Sequence, residues 1–344
     1  MAIMLSNTSR SGISKTRRSV LLGTGALVSG CVASAALPGQ RTASPEWGDD
    51  SFIMSDGARL PVRVWHTEGK PEFVVLALHG FNDSRDAWEI PAPDFVAAGM
   101  MMYAPDQRGF GEAPGRGLWP GGEALTEDAS EMVGILRRRH PDTRIVLMGE
   151  SMGGAVLMRL ATLPNAPTVS GYVLVAPAVW GRVTMNAFER IGLWAGDALF
   201  PGLKLTGRGL EITPSDNVPM LRALSRDPLV IKATRIDTVK GLVDLMDLAL
   251  ASASRIGRLP MLLLYGQHDE IVPHAPTHLF IARLTSAQRA ESRIALYEHG
   301  YHMLLRDLDA RIVIGDVAAW IGDHRAALPS GADRRAKAGG STQG

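Results

Sequence analysis

Three short stretches of this chain carry side chains able to do nucleophilic chemistry. The first is Gly149-Glu150-Ser151-Met152-Gly153, a G-x-S-x-G pattern. It lies between an apolar run at residues 145–148 and a helix-like segment at 155–161. Gly makes up 37 of 344 residues, so the bare pattern is weak evidence. Its setting strengthens it, because a buried strand, a tight turn carrying Ser and a helix form a nucleophile elbow. Such a turn strains the backbone at Ser and leaves no room for bulk on either side, which Gly149 and Gly153 provide. The hydroxyl then projects at the top of a sheet beside a helix N-terminus, where a developing oxyanion is stabilised.

A serine nucleophile needs a base, and the base needs an acid to orient it. On a strand-elbow-helix scaffold these follow in the order Ser, acid, His, each after a strand. The stretch Gln267-His268-Asp269-Glu270 follows an apolar strand at 261–265. The stretch Glu298-His299-Gly300-Tyr301-His302 follows another at 292–297. Asp269 is the favoured acid, with Glu270 as its rival, and His302 is the favoured base, with His299 as its rival. Gly300 permits a turn that aims His302 back toward the sheet. The oxyanion donors are expected to be the backbone N–H of Met152 and that of Phe81, in the His79-Gly80-Phe81 loop after the strand at 73–78. His274 and His278 stand four apart, but Pro276 between them and the lack of a carboxylate pattern favour a surface helix over a metal site. His66, His140, His268 and His324 read as loop or surface positions. No metal or organic cofactor is required.

The elements that must hold these residues alternate. A hairpin at 51–65 is followed by strands at 73–78, 100–104, 145–148 and 171–176, separated by helices at 84–98, 123–139 and 155–161. Such alternation predicts an α/β fold with a mostly parallel, doubly wound sheet. Between 179 and 258 the strands stop and helix-like segments follow at 185–199 and 237–251, which reads as an inserted helical cap. The alternation then resumes through 327. The expected organisation is therefore a core of residues 49–178 and 259–327, a cap of 179–258, and a Gly/Ala/Ser/Arg-rich tail of 328–344 without structure.

Composition is that of an ordinary globular protein, 46% hydrophobic with a formal charge of +1, so nothing suggests a nucleic-acid partner. The single cysteine, Cys31, excludes an internal disulfide or a thiolate cluster. It closes a segment with a basic stretch (Lys15, Arg17, Arg18) and a short apolar run at 20–28, the form of an export signal. Thr16-Arg17-Arg18-Ser19-Val20-Leu21 resembles a twin-arginine signal, and Val28-Ser29-Gly30-Cys31 resembles a bacterial lipobox, in which the Cys is acylated. Residues 1–31 are thus expected to direct export to the cell envelope, with a lipid anchor at Cys31 and a flexible tether over 32–48. Oligomeric state leaves no signal.

The motifs Gly149-Glu150-Ser151-Met152-Gly153-Gly154, His79-Gly80-Phe81, Asp106-Gln107-Arg108-Gly109-Phe110-Gly111 and Tyr297-Glu298-His299-Gly300-Tyr301-His302 occur in an order that resembles the α/β-hydrolases. Arg226-Asp227-Pro228-Leu229-Val230 adds a likeness to the monoacylglycerol lipase/lysophospholipase group, the serine aminopeptidase S33-type hydrolases. The resemblance covers residues 50 to 325. It implies Ser151 as nucleophile, Asp269 as acid, His302 as base, and Phe81 and Met152 as oxyanion donors. Glu150 departs from the lipase pattern, which has His before the nucleophile.

The expected activity is hydrolysis of carboxylic esters through an acyl-enzyme. The substrate is expected to be lipid-like, a monoacylglycerol or lysophospholipid. Apolar cap residues Phe188, Ile191, Trp194, Leu199, Phe200 and Leu203 would cover an acyl chain, unless they serve only to seat the cap on the domain. A peptidase or C–C bond hydrolase would use the same triad, and a non-catalytic, tethered binding protein is a third reading. Ser at 151 argues against haloalkane dehalogenases and epoxide hydrolases, which use Asp there.

Overall fold

The computed structural model describes residues 38–340 except 208 and 210, so the segment expected to be an export signal, Cys31, and residues 32–37 of the expected tether lie outside the described residues. Among the described residues, eleven strands and ten α-helices follow in chain order. Strands β1 (Glu46–Gly48), β2 (Ser51–Ile53) and β3 (Arg59–Trp65) form an antiparallel meander. Then come β4 (Phe73–Leu78), α1 (Ala92–Ala97), β5 (Met100–Pro105), α2 (Gly122–Arg139), β6 (Arg144–Glu150), α3 (Met152–Leu160) and β7 (Gly171–Val175). The insertion holds α4 (Ala187–Leu199), β8 (Lys204–Leu205), α5 (Val218–Arg226), β9 (Thr234–Arg235) and α6 (Ile236–Ser252). The chain closes with β10 (Met261–Gly266), α7 (His274–Arg283), α8 (Ser286–Glu291), β11 (Ser292–Tyr297), α9 (Ala310–Gly322) and α10 (Ala332–Gly340).

Nine strands make one sheet in the order β1-β2-β3-β5-β4-β6-β7-β10-β11, parallel from β5 to β11. The inner parallel strands β4, β5, β7 and β10 are continuous apolar runs because both of their faces are covered. In β4, Val74, Leu76 and Leu78 enter one core, with α2, α3, α6 and α7, while Phe73, Val75 and Ala77 enter the other, with α1, α9 and α10. That period of two makes the sheet a wall between two cores. Its C-terminal edge carries the loops that follow β4, β6, β10 and β11, where such sheets place their sites.

Four expectations need correction. The helix expected over 84–98 is broken: a 3-10 turn at Arg85–Trp88 is separated from α1 by Pro91, and Pro93 stands in the first turn of α1. The tail is not without structure from 328. Leu328 and Ala332 are buried in the second core, and α10 lies along β11 with Asp333 paired to Arg293 at 3.1 Å. Two apolar anchors and an ion pair thus offset a composition that reads as disordered. The tether expected over 32–48 is also folded from its far end, since β1 joins the sheet and Arg41 pairs with Glu127, Asp128 and Glu131 of α2. Finally, α6 belongs to the core layer. Val243, Leu245, Met246, Ala249 and Leu250 are buried against it, so the exposed part of the insertion ends before α6.

Candidate active site

Ser151 sits between β6 and α3 with φ 50° and ψ −110°, a conformation that L side chains rarely adopt. The surroundings hold it there. Ser151 N–H donates to Val175 O at 2.9 Å, and its carbonyl accepts from Ala155 and Ala178 at 3.1 and 2.9 Å. A Cβ on Gly149 would stand 2.5 Å from the Gly153 carbonyl carbon, and one on Gly153 would stand 2.3 Å from Leu78 O. Both glycines are therefore demanded by close backbone approach, and the second packs the elbow against the end of β4.

The loops that carry Asp269 and His302, after the neighbouring strands β10 and β11, meet at the same edge of the sheet. The Nδ1 of His302 donates to Asp269 Oδ2 at 2.8 Å, with both side chains buried. Asp269 Oδ1 accepts from the N–H groups of Ile271 and Val272, each at 2.9 Å, so the carboxylate is held on both oxygens. Burial alone would lower the His302 pKa. The charge and hydrogen bond of Asp269 outweigh that effect, with Glu150 adding to the rise and Arg306 opposing it, and the net shift is upward. The rival residues lie elsewhere. His299 is exposed, and Glu270 is exposed and accepts from Thr213 N at 2.7 Å.

The His79–Asp83 loop brings its backbone against the serine, since a Cβ on Gly80 would lie 3.5 Å from Ser151 Cβ. Gln107 N–H donates to His79 Nε2 at 3.0 Å, which makes Nε2 the acceptor and leaves Nδ1 to donate to Gly80 O at 2.8 Å. Asp83 N–H reaches the same carbonyl at 3.3 Å. Two donors fixing the Gly80 carbonyl fix the opposite end of that peptide, the Phe81 N–H. Among the described residues neither Phe81 N–H nor Met152 N–H has an acceptor in the protein. The Asp106–Gly111 stretch supports the loop from below. Asp106 is buried, accepts from the N–H groups of Arg85 and Glu112 at 2.7 and 2.8 Å, and pairs with the Arg85 guanidinium. A Cβ on Gly111 would overlap the Asp106 carboxylate at 2.2 Å, which explains that glycine.

Sequence reasoning missed three charged residues of the site. Arg306 is buried and donates to Glu150 Oε1 and Asp83 Oδ2, each at 2.9 Å. Burial works against its charge, yet the two carboxylates outweigh it and push its pKa upward. Asp307 accepts from Tyr301 N–H at 2.8 Å and from the Ser215 hydroxyl at 2.6 Å, joining the insertion to the turn of His302. Burial, partly opposed by those hydrogen bonds, pushes its pKa up to about 6. The only hint in the sequence was Glu150, a charge in a position that had to be buried and so had to find a cation.

The apolar residues expected to cover the site are not packed down. Phe188, Trp194 and Phe200 are 86%, 72% and 60% exposed, and α4 buries none of its residues. A capping box holds α4 as a helix all the same, with Asn186 and Glu189 bonded reciprocally at 2.9 Å. His274 and His278 line an open groove with Tyr265 and Arg289, which none of Ser151, Asp269 and His302 touches. No group of three metal-ligating side chains occurs among the described residues. His140 bonds the Tyr103 hydroxyl at 2.8 Å, His268 stacks on Tyr301, His66 is exposed and His324 packs on Trp320.

A doubly wound parallel sheet with a strained Ser on the strand-to-helix turn and a bonded Asp–His pair on later loops defines an α/β-hydrolase. Residues 69–309 match the serine aminopeptidase S33 family, and the chain belongs to it. It is 28% identical to the monoacylglycerol lipase of Mycolicibacterium smegmatis, over 80% of this chain and 97% of that one. It is 26% identical to the monoglyceride lipase of Mus musculus, over 81% and 92%. Among solved structures, the fold superposes on Saccharomyces cerevisiae monoglyceride lipase bound to a substrate analogue, with a TM-score of 0.68 at 21% identity. That match covers 85% of this chain and 100% of the other. Paleococcus ferrophilus monoacylglycerol lipase gives 0.62 at 24% identity, covering 77% and 99%.

Proposed function

We propose that this carboxylic ester hydrolase cleaves lipid-like esters, monoacylglycerols or lysophospholipids, through an acyl-enzyme on Ser151. The observation that carries the reading is the buried 2.8 Å bond from His302 to Asp269 at the sheet edge that also carries the strained Ser151 turn. With Nδ1 donating to Asp269, Nε2 is free to accept a proton. Ser151 Oγ attacks the ester carbonyl carbon as Nε2 takes its proton. The C=O electron pair moves onto oxygen, which accepts from the N–H groups of Phe81 and Met152. Collapse expels the alcohol, protonated by His302. Water, deprotonated by the same nitrogen, then attacks the acyl carbon and returns Ser151 as the hydroxyl.

Three features support a lipid-like substrate. Relatives named for monoacylglycerol or monoglyceride hydrolysis align over nearly their whole length. The exposed apolar side chains of α4 suit an oily surface better than water. Export and acylation at Cys31 would hold the domain beside a membrane, on the periplasmic side of the envelope. The test is hydrolysis of p-nitrophenyl esters of graded chain length, and of a long-chain monoacylglycerol, by wild type and Ser151→Ala. Activity that rises with acyl length and vanishes in the variant is the expected result. Equal rates for the two proteins on every ester would sink the proposal. For the anchor, mass spectrometry of the mature N-terminus should find an acylated Cys31, and an unmodified terminus at another residue rules it out.

A further inference from the structure

Arg306 is placed where one side chain can set the register of three loops. Its two terminal nitrogens are shared between Glu150, the residue before Ser151, and Asp83, whose N–H helps to fix the Gly80 carbonyl and hence the Phe81 N–H. It stands four residues after His302 on the same turn, where its own N–H donates to Met303 O at 2.7 Å and its carbonyl accepts from Asn217 Nδ2 at 2.8 Å. The elbow, the oxyanion loop and the base turn come from β6, β4 and β11 and are remote in sequence. Backbone bonds within each loop cannot fix the three relative to one another, and a planar guanidinium with forked donors can.

Building this site is costly, because the guanidinium and both carboxylates are buried and its Nε meets no acceptor. A buried pair of this kind is no better for stability than apolar packing, so stability alone does not account for it. We propose that Arg306 is a positioning residue that aligns Ser151, the Phe81 N–H and His302, and that Glu150, in place of the lipase His, is its required partner. The proposal rests on the serine-hydrolase reading and adds a residue to it. It also has an electrostatic side. The groups facing His302 are Asp269 after β10, Glu150 at the end of β6, and Arg306 on its own turn, with Asp83 held against Arg306. The carboxylates outnumber the guanidinium and favour the imidazolium that forms as Ser151 gives up its proton.

The test uses the full chain and the rate at which a fluorophosphonate labels Ser151, which reads nucleophile and base without requiring the natural substrate. Arg306→Lys keeps the charge but cannot bridge both carboxylates. It should label about 100-fold more slowly, in line with the cost of a misalignment of about 1 Å, and should lower kcat on a p-nitrophenyl ester with KM nearly unchanged. Glu150→Gln keeps an acceptor oxygen for Arg306 and removes one charge, so it should fold even if the lysine variant does not. Because the base must be neutral to act, losing that anion should move the acidic limb of kcat/KM to lower pH. Variants that unfold at lower temperature yet label at the wild-type rate, with the acidic limb in place, would show a merely structural network and overturn the proposal. Wild-type protein that is not labelled at Ser151 would instead defeat the underlying serine-hydrolase reading.

Discussion

Asp269→Asn is the most informative single change, because the structure dictates which way the new amide must turn. An Asn at 269 can present its oxygen either to His302 Nδ1 or to the N–H groups of Ile271 and Val272, which the native Oδ1 satisfies at 2.9 Å each. Turning the amide nitrogen toward those two donors would leave both unpaired, Val272 buried and Ile271 half-buried. At about 1–3 kcal/mol per unsatisfied group, that orientation costs roughly 2–6 kcal/mol. The oxygen therefore stays with the loop, and the NH2 faces His302. Two donors cannot face each other, so Nδ1 gives up its proton and Nε2, the nitrogen that should accept from Ser151, becomes protonated. The working tautomer becomes a minor species costing those same 2–6 kcal/mol, and the imidazolium also loses its counter-charge. At 1.36 kcal/mol per decade, kcat should fall by about 10² to 10⁴ on a p-nitrophenyl ester, while the unfolding midpoint barely moves. Burial lowers the His302 pKa and Asp269 more than restores it, so the wild-type acidic limb is expected above the ordinary histidine value and should move to lower pH in the variant. A variant within tenfold of wild type would refute the reasoning, since it would show that the His302–Asp269 bond does not govern the tautomer.

Other perturbations test other links. Gly153→Ala drives a methyl group to within 2.3 Å of Leu78 O, so it should cost several kcal/mol and yield little soluble protein; a wild-type melting temperature would contradict the packing. Truncation after residue 327 removes buried Leu328 and Ala332 and the Asp333 carboxylate that pairs with Arg293, a loss of about 2–3 kcal/mol that should appear as a melt several degrees lower. The double change Phe188→Ser and Trp194→Ser touches no buried contact. It should cut activity on emulsified long-chain monoacylglycerol about tenfold or more, since each apolar side chain inserted into oil contributes about 2 kcal/mol. Hydrolysis of p-nitrophenyl butyrate should stay within twofold of wild type.

Much of the frame was legible because the parallel strands are apolar on both faces and the helices between them are periodic. The strained turn at Ser151 and the loops that carry Asp269 and His302 could be picked out for a related reason: each follows a strand, and strand ends are where the pattern changes most sharply. The ion network was not legible. Asp83, Glu150 and Arg306 are spread over more than 220 positions, and nothing local marks Arg306 as buried. The tail misled because composition averages over a segment, whereas Leu328 and Ala332 act as individual anchors. The insertion misled in the opposite sense. Apolar residues at helical spacing suggested packing at both α4 and α6, but α6 is buried while α4 sets only Leu193 of its large apolar side chains against the core, and a single sequence cannot say which apolar face finds a neighbour.

The Arg41 cluster has a mechanical meaning. Its ion pairs with α2, at 2.7–2.8 Å, fasten the arm to the body, and Gly39 N–H is already bonded to Asp56 at 3.1 Å. Eight residue steps then separate Cys31 from the first fastened point, and a fully stretched chain covers at most about 27 Å in that distance. A compact body of some 300 residues is roughly 50 Å across. If Cys31 carries a lipid, residue 39 would lie within a distance of the membrane that is shorter than the body is wide, which would favour esters held in that bilayer. Lengthening the leash with a Gly/Ser insert after residue 33 should change turnover of esters in the anchoring bilayer and leave turnover of soluble esters untouched.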